Sequence, residues 1–133
     1  MTDTYLIDTS ALTRLIRRQT KPKWVQAVHS GVVGLCDPVR LEYLQAVGGR
    51  TQYYDADALF QDLFPQYVIP DSAWDAADTV QRRLAEKSWH QCASPVDLLV
   101  AVTAAHHKVT VLHADRDFET IARVTGQPTE RIS

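Results

Sequence analysis

The chain has 133 residues, 45% of them hydrophobic and 23% charged, enough to enclose one core and too few for two. A formal charge of −2 with a pI near 6.2 excludes the general basicity of a nucleic-acid coating protein, and no apolar run approaches the roughly 20 residues of a membrane-spanning helix. Cys36 and Cys92 stand far apart without Cys-x-x-Cys spacing, which speaks against a disulfide framework or a thiolate zinc site and predicts buried free thiols.

In chain order, the opening residues carry acids and lack the basic and apolar regions of a secretory signal, so a cytoplasmic protein is expected. Tyr5-Leu6-Ile7 reads as a short buried strand, Asp8-Thr9-Ser10 as a cap, and Leu12, Leu15 and Ile16 as the apolar side of a helix. Between Thr9 and Cys36 lie five basic residues, Arg14, Arg17, Arg18, Lys21 and Lys23, and no acid. Trp24 follows them directly, so this stretch is a candidate for touching phosphate and stacking on a base. Val32-Val33-Gly34-Leu35-Cys36 reads as a second strand. Asp37 is the expected N-cap of the next helix, with Pro38 at its first position and Gly48-Gly49 as its stop.

Residues 51–64 read as a further helix and Tyr67-Val68-Ile69 as a third strand closed by Pro70. A longer helix starts at Asp71 or Ser72, buries Ala73, Ala77, Val80 and Leu84, and frays near Trp89. From Thr51 to Gln81 there are six acids and no Lys or Arg, so the molecule is electrically lopsided, although either charge run also reads as a solvated helix face. Ser94-Pro95-Val96-Asp97 repeats the cap-then-Pro pattern and opens residues 98–105, apolar on every side, a helix for the middle of a domain. Val109-Thr110-Val111-Leu112 reads as the fourth strand. Asp115-Arg116-Asp117-Phe118 begins a last helix that Gly126 ends, and residues 129–132 form an edge strand. Alternating short strands and helices predict one domain over residues 1–133, a three-layer α/β/α arrangement around a mainly parallel sheet.

Asp8, Glu42, Asp97, Asp115 and Asp117 all fall near helix N-termini on this plan. In a parallel sheet those junctions share one edge, at the carboxyl ends of the strands, where such folds place ligands. Each acid also has a local reading: Asp97 completes a capping box behind Ser94, and Asp115 caps the last helix with Asp117 favoured by the dipole. Glu42, fifth in its helix, lies past the capping positions, and Asp8 is a redundant cap beside Thr9 and Ser10. Four or five carboxylates in one pocket repel one another and call for a compensating cation. An all-oxygen set favours Mg²⁺ or Mn²⁺ over zinc, and such an ion suits hydrolysis at phosphate. His106 and His107 read as C-terminal helix residues; His113 is the one histidine near the acidic edge and a candidate for proton transfer.

Four segments carry a resemblance: Asp8-Thr9-Ser10-Ala11-Leu12, Arg40-Leu41-Glu42-Tyr43, Pro95-Val96-Asp97-Leu98-Leu99, and Leu112-His113-Ala114-Asp115-Arg116-Asp117-Phe118. Together, in order and over nearly the whole chain, they resemble a PIN domain of the VapC toxin type. The resemblance implies a Mg²⁺- or Mn²⁺-dependent endoribonuclease, the toxin half of a type II toxin–antitoxin pair, acting on structured RNA such as tRNA or a ribosomal RNA loop. It implies that Asp8, Glu42, Asp97 and Asp115 or Asp117 hold the metal and position the attacking water, with Asp115 as the inner ligand, Asp117 close behind or shared, and Ser10 as the small hydroxyl beside the site. It also implies a homodimer and a VapB-like antitoxin whose C-terminal segment occludes the acids.

For RNA the chain offers the Arg14–Trp24 stretch and a second group, Arg82-Arg83 with Lys87, Trp89 and His90, which reads equally as a solvated helix end with Trp89 on the core. Leu15, Trp24, Val25 and Leu59 face either a partner chain or the core. A phosphatase of the haloacid-dehalogenase type also has an Asp after its first strand but needs another acid two residues on, where this chain has Ser10. The non-enzymatic alternative is a PIN-like module that binds RNA or protein without cutting.

Overall fold

The computed structural model describes residues 3–133; Met1 and Thr2, part of the stretch read as lacking signal character, lie outside it. The described elements are β1 (Tyr5–Ile7), α1 (Thr9–Ile16), α2 (Pro22–His29), β2 (Val33–Gly34), α3 (Asp37–Gln45), α4 (Arg50–Leu63), α5 (Ala73–Glu86), α6 (Pro95–His107), β3 (Thr110–His113), α7 (Asp117–Thr125) and β4 (Thr129–Arg131). The strands form one sheet in the order β2-β1-β3-β4, and every pairing is parallel.

Consecutive residues of a strand point to opposite faces, yet Leu6 and Ile7, and likewise Val111 and Leu112, are all buried. Both faces are therefore covered, as an all-parallel sheet requires, and the architecture is three-layer α/β/α. The most apolar helix, α6, packs against β1, β3, α3, α5 and α7 and buries every residue from Leu98 to Ala104. It ends where Lys108 takes a left-handed conformation at φ 59°. Gly126, at φ 73°, ends α7 in the same way at no steric cost. No helix among the described residues is long and apolar enough to cross a membrane.

Three expectations need correction. Tyr67-Val68-Ile69 is not a strand: one bridge, Leu35 to Gln66, is all that forms, and Val68 is 66% exposed. The run is three residues between Pro65 and Pro70 beside a two-residue edge strand, so it has little ladder to join. Tyr67 instead lays its ring where a Cβ on Gly34 would stand, and the carbonyl of Val68 is bonded by His107 Nε2 at 2.8 Å. Asp37 is not the N-cap of α3, since Cys36 holds that place and Asp37 is already helical with its carboxylate 3.4 Å from Arg40 Nε. Trp24 offers no stacking face. It is 3% exposed, set edge-on to Tyr5 with ring centres 5.4 Å apart, because it opens the buried side of a helix absent from the chain-order reading, α2. Pro22 at the start of that helix, with Trp24 and Val28 one turn apart and both buried, was the available signal. Of the other apolar residues left open, Val25 and Leu59 are exposed and Leu15 is half-buried.

Candidate metal centre

Asp8 ends β1 and caps α1: its Oδ1 accepts the Ala11 N–H at 2.8 Å. Ser10 Oγ donates to the same carboxylate, 2.7 Å from Oδ2, while accepting the N–H of Ala114 at 2.9 Å. That hydroxyl thus stitches the end of β1 to the turn after β3, the neighbouring central strand. Asp8 is 3% exposed. Burial pushes its carboxyl up to about 6; the bonds from Ala11 and Ser10 pull it back, and the charge of Asp97 adds to the rise.

Asp97 forms the capping box its sequence asks for. Its backbone N–H donates to Ser94 Oγ at 3.2 Å, and its Oδ2 accepts the Ser94 N–H at 3.1 Å. Capping and membership of an acidic site are therefore not rivals here, because the box uses one carboxylate oxygen and leaves the other. Asp115 Oδ1 accepts the Asp117 N–H at 2.9 Å, so Asp115 does bond the start of α7. Asp97, Asp115 and Asp117 each offer a carboxylate oxygen, and these atoms all lie within 4.8 Å of one another. Burial raises the carboxyl of Asp97, and the charges of Asp115 and Asp117 raise it further. Asp117 is raised by burial and then by Asp115, with Arg116 acting against both.

Asp8 and Glu42 fall outside that group of three. Asp8 adjoins it closely enough to feel the charge of Asp97. Glu42 is half-buried on α3, which packs against α1 and α6. None of the five acids forms a salt bridge among the described residues. Like charges held this close, on oxygen donors and without a side-chain cation, fit a hard divalent ion.

His113 is fully buried, 1% exposed, and its ring lies 5.6 Å from that of Phe118. Its Nδ1 accepts the backbone N–H of Asp115 at 3.2 Å, so that nitrogen is unprotonated and Nε2 carries the proton of the neutral ring. Burial lowers its basicity, with Arg131 adding to the effect. This geometry makes His113 a support for the backbone at Asp115. His107 bonds Val68 and His106 is exposed at the end of α6. Cys36 is buried as expected, whereas Cys92 is half-buried. Burial raises its thiol, and the charges of Asp117, Asp97 and Asp115 raise it further, a proximity nothing in the sequence announces.

The basic candidates separate. Arg14, Arg17, Arg18, Lys21 and Lys23 are all exposed, and the turn they span is tied to the chain end by Lys21 N–H to Ser133 O at 2.6 Å. Arg82 is held by Asp78 at 2.9 Å. Arg83 Nη1 reaches the Val124 carbonyl at 3.4 Å. Trp89 packs on the core, and Lys87 and Arg123 lie over its ring; Arg123 comes from α7, 34 residues further along the chain, a pairing no local pattern announces.

The PIN domain family model matches residues 5–124. Among curated proteins the chain is 31% identical to ribonuclease VapC21 of Mycobacterium tuberculosis over 132 residues, 99% of this chain and 96% of that protein. It is 36% identical over 136 residues to ribonuclease VapC2 of the same species, covering all of this chain and 96% of the relative. A DNA-bound VapBC complex from Salmonella typhimurium shares the fold, with a TM-score of 0.79 at 15% identity over 98% of each chain. The chain belongs to the PIN-domain family, on its VapC branch.

Proposed function

We propose that this protein is a Mg²⁺- or Mn²⁺-dependent endoribonuclease, the toxin of a VapBC-type pair, that cuts structured RNA such as tRNA or a ribosomal RNA loop. The observation that carries the reading is the group formed by Asp97, Asp115 and Asp117, three carboxylates within 4.8 Å with no side-chain cation paired with them among the described residues. The VapC relatives that carry the name ribonuclease support the activity. The VapBC complex of like fold supports a VapB-like antitoxin as partner, and a homodimeric toxin is part of the same proposal.

In this reading Asp97 and Asp115 are inner ligands, Asp117 is shared or close behind, and Asp8 and Glu42 complete the acidic set. A bound divalent ion would supply an activated water and neutralise charge on the phosphate oxygens. The protein's own groups do the rest. Ser10 holds the Asp8 carboxylate and the backbone before Asp115 in one arrangement. His113 and the Ser94–Asp97 box fix the two helix starts from which the acids project. A water placed between these carboxylates and a phosphodiester forms the new bond to phosphorus and gives its proton to an acid or to solvent, while the bond from phosphorus to the ribose oxygen breaks and that oxygen takes up a proton from solvent or a protonated acid.

The test is cleavage of a tRNA pool by purified protein freed of antitoxin, with Mg²⁺ and then with EDTA. Internal cuts with Mg²⁺ and none with EDTA are expected. Equal cutting in both, insensitive to every acidic substitution, would sink the reading.

A further inference from the structure

Positive charge gathers where α5 gives way to α6. Lys87 Nζ lies 5.4 Å from the centre of the Trp89 ring, and Arg123 Cζ, from α7, lies 5.9 Å from it. Arg83 is fastened beside them through the carbonyl of Val124, the residue after Arg123. All three cations are exposed, and none forms a salt bridge among the described residues, whereas the adjacent Arg82 is neutralised by Asp78. An indole face attracts cations through its quadrupole, so Trp89 brings side chains from two elements to one spot without consuming their charge.

The spot adjoins the acids. The carbonyl of Trp89 accepts the Cys92 N–H at 3.0 Å, and two residues further on Ser94 is locked to Asp97. Arg123 follows Asp117 by six residues on α7, roughly 9 Å of helix rise. Cys92 in turn lies close enough to Asp117, Asp97 and Asp115 for their charges to act on its thiol. An acidic centre repels a polyanion, so cations on the surface beside it favour a strand that reaches it.

We propose that Lys87, Arg123 and Arg83, assembled on Trp89, form a ledge that grips the RNA backbone beside the acidic centre, with the indole as a platform for the cations and not as a stacking face for a base. The inference rests on the ribonuclease reading and adds to it where the substrate is held and that the grip is indifferent to sequence.

The experiment measures binding of a short, unstructured, fluorescently labelled RNA to the full-length protein in EDTA over a range of salt, and cleavage of the same RNA in Mg²⁺. For the double variant Lys87→Gln/Arg123→Gln, the slope of log affinity against log salt falls by about 1.4, two contacts at about 0.7 each on a single strand. Near physiological salt this weakens binding about tenfold and raises KM with little change in kcat. Trp89→Phe keeps the ledge; Trp89→Leu behaves like the double variant. Both changed cations are exposed, so this variant stays informative where Trp89→Leu unfolds.

An unchanged slope and KM in the double variant, with wild-type cleavage intact, overturns the ledge and leaves the ribonuclease reading standing. Loss of RNA binding in a folded Trp89→Leu but not in the double variant overturns it in favour of base stacking. Loss of antitoxin affinity alone assigns the patch to a protein partner and also overturns it. A wild type that neither binds nor cuts RNA removes the ribonuclease reading beneath it.

Discussion

At the junction of β2 with α3, Asp37 pairs with Arg40 at 3.4 Å and Arg40 reaches on to Asp57 at 3.0 Å. At the junction of β3 with α7, Asp115 and Asp117 have each other, Asp97 and backbone N–H groups, and no side-chain cation in salt-bridge range. Both places put carboxylates at the start of a helix, where the dipole welcomes them, so helix position alone does not tell a site from a cap. Counter-charge does. The difference follows from the sheet order: β1 and β3 are central neighbours, so their ends and the start of α6 converge, while β2 lies at the edge and Arg40, on the helix after it, reaches across to Asp57 of α4.

The largest expected effect tests that contrast directly. Asp97→Asn and Asp115→Asn each lower metal-dependent cleavage by on the order of a hundredfold or more, since an amide oxygen can keep the backbone bond but carries no charge for the ion. Asp37→Asn leaves cleavage unchanged, and Glu42→Gln, from outside the group of three, falls between them. Initial rates on one RNA, alongside melting temperatures, decide the order. Equal losses at Asp37 and Asp115 would erase the distinction.

The next effect is on stability. Asp8 has a carboxyl near 6 in the folded protein against 3.8 ordinarily, and Asp97 and Asp117 are also raised. A raised acid means that the folded state binds more protons than the unfolded one between the two values, so stability falls as pH climbs from about 4 to about 6. For Asp8 alone the change is at most about 3 kcal/mol. Metal-free protein in EDTA should therefore melt lower at pH 7 than at pH 5, and Mg²⁺ should reverse the order. A melting temperature that climbs with pH in EDTA would contradict the crowding of uncompensated acids.

His113 gives a smaller, sharper test. Asn at this position can present an oxygen where Nδ1 now accepts the Asp115 N–H; Gln reaches past it. Both lose the ring contact with Phe118 and some stability, of order 1–3 kcal/mol. His113→Asn should retain more cleavage and tighter Mg²⁺ binding by calorimetry than His113→Gln. The reverse ranking would overturn the role of Nδ1 as acceptor for the Asp115 N–H. Smallest of all, Arg40→Gln breaks a half-buried network and costs on the order of 1–2 kcal/mol. Its cleavage rate should match wild type, and a large loss would draw the edge junction into the site.

Much of this was legible in short windows. Ser94-Pro95-Val96-Asp97 specifies its own capping box, and Gly126 its own helix end. The apolar run of α6 announces its burial without naming its neighbours. Windows failed where a distant group decides between neighbours. Asp8 and Thr9 are both plausible caps by type, and the structure chose Asp8 because its carboxylate faces the Ala11 N–H while Ser10 turns to Ala114. Tyr67-Val68-Ile69 has strand-forming residues, but its partner edge is too short to hold it.

What the sequence determined by itself was the supply: strand-to-helix alternation, carried by the period of apolar residues, and the caps and acids at helix starts, whose hydrogen bonds close within three or four residues. Only the tertiary structure decided which acids meet, that they meet with no side-chain salt bridge among the described residues, that Trp24 is buried, and that Trp89 gathers Lys87 from its own loop and Arg123 from another helix. Those outcomes depend on which strands become neighbours. Strand order comes from burying the whole apolar surface at once, and no window of the chain contains that sum.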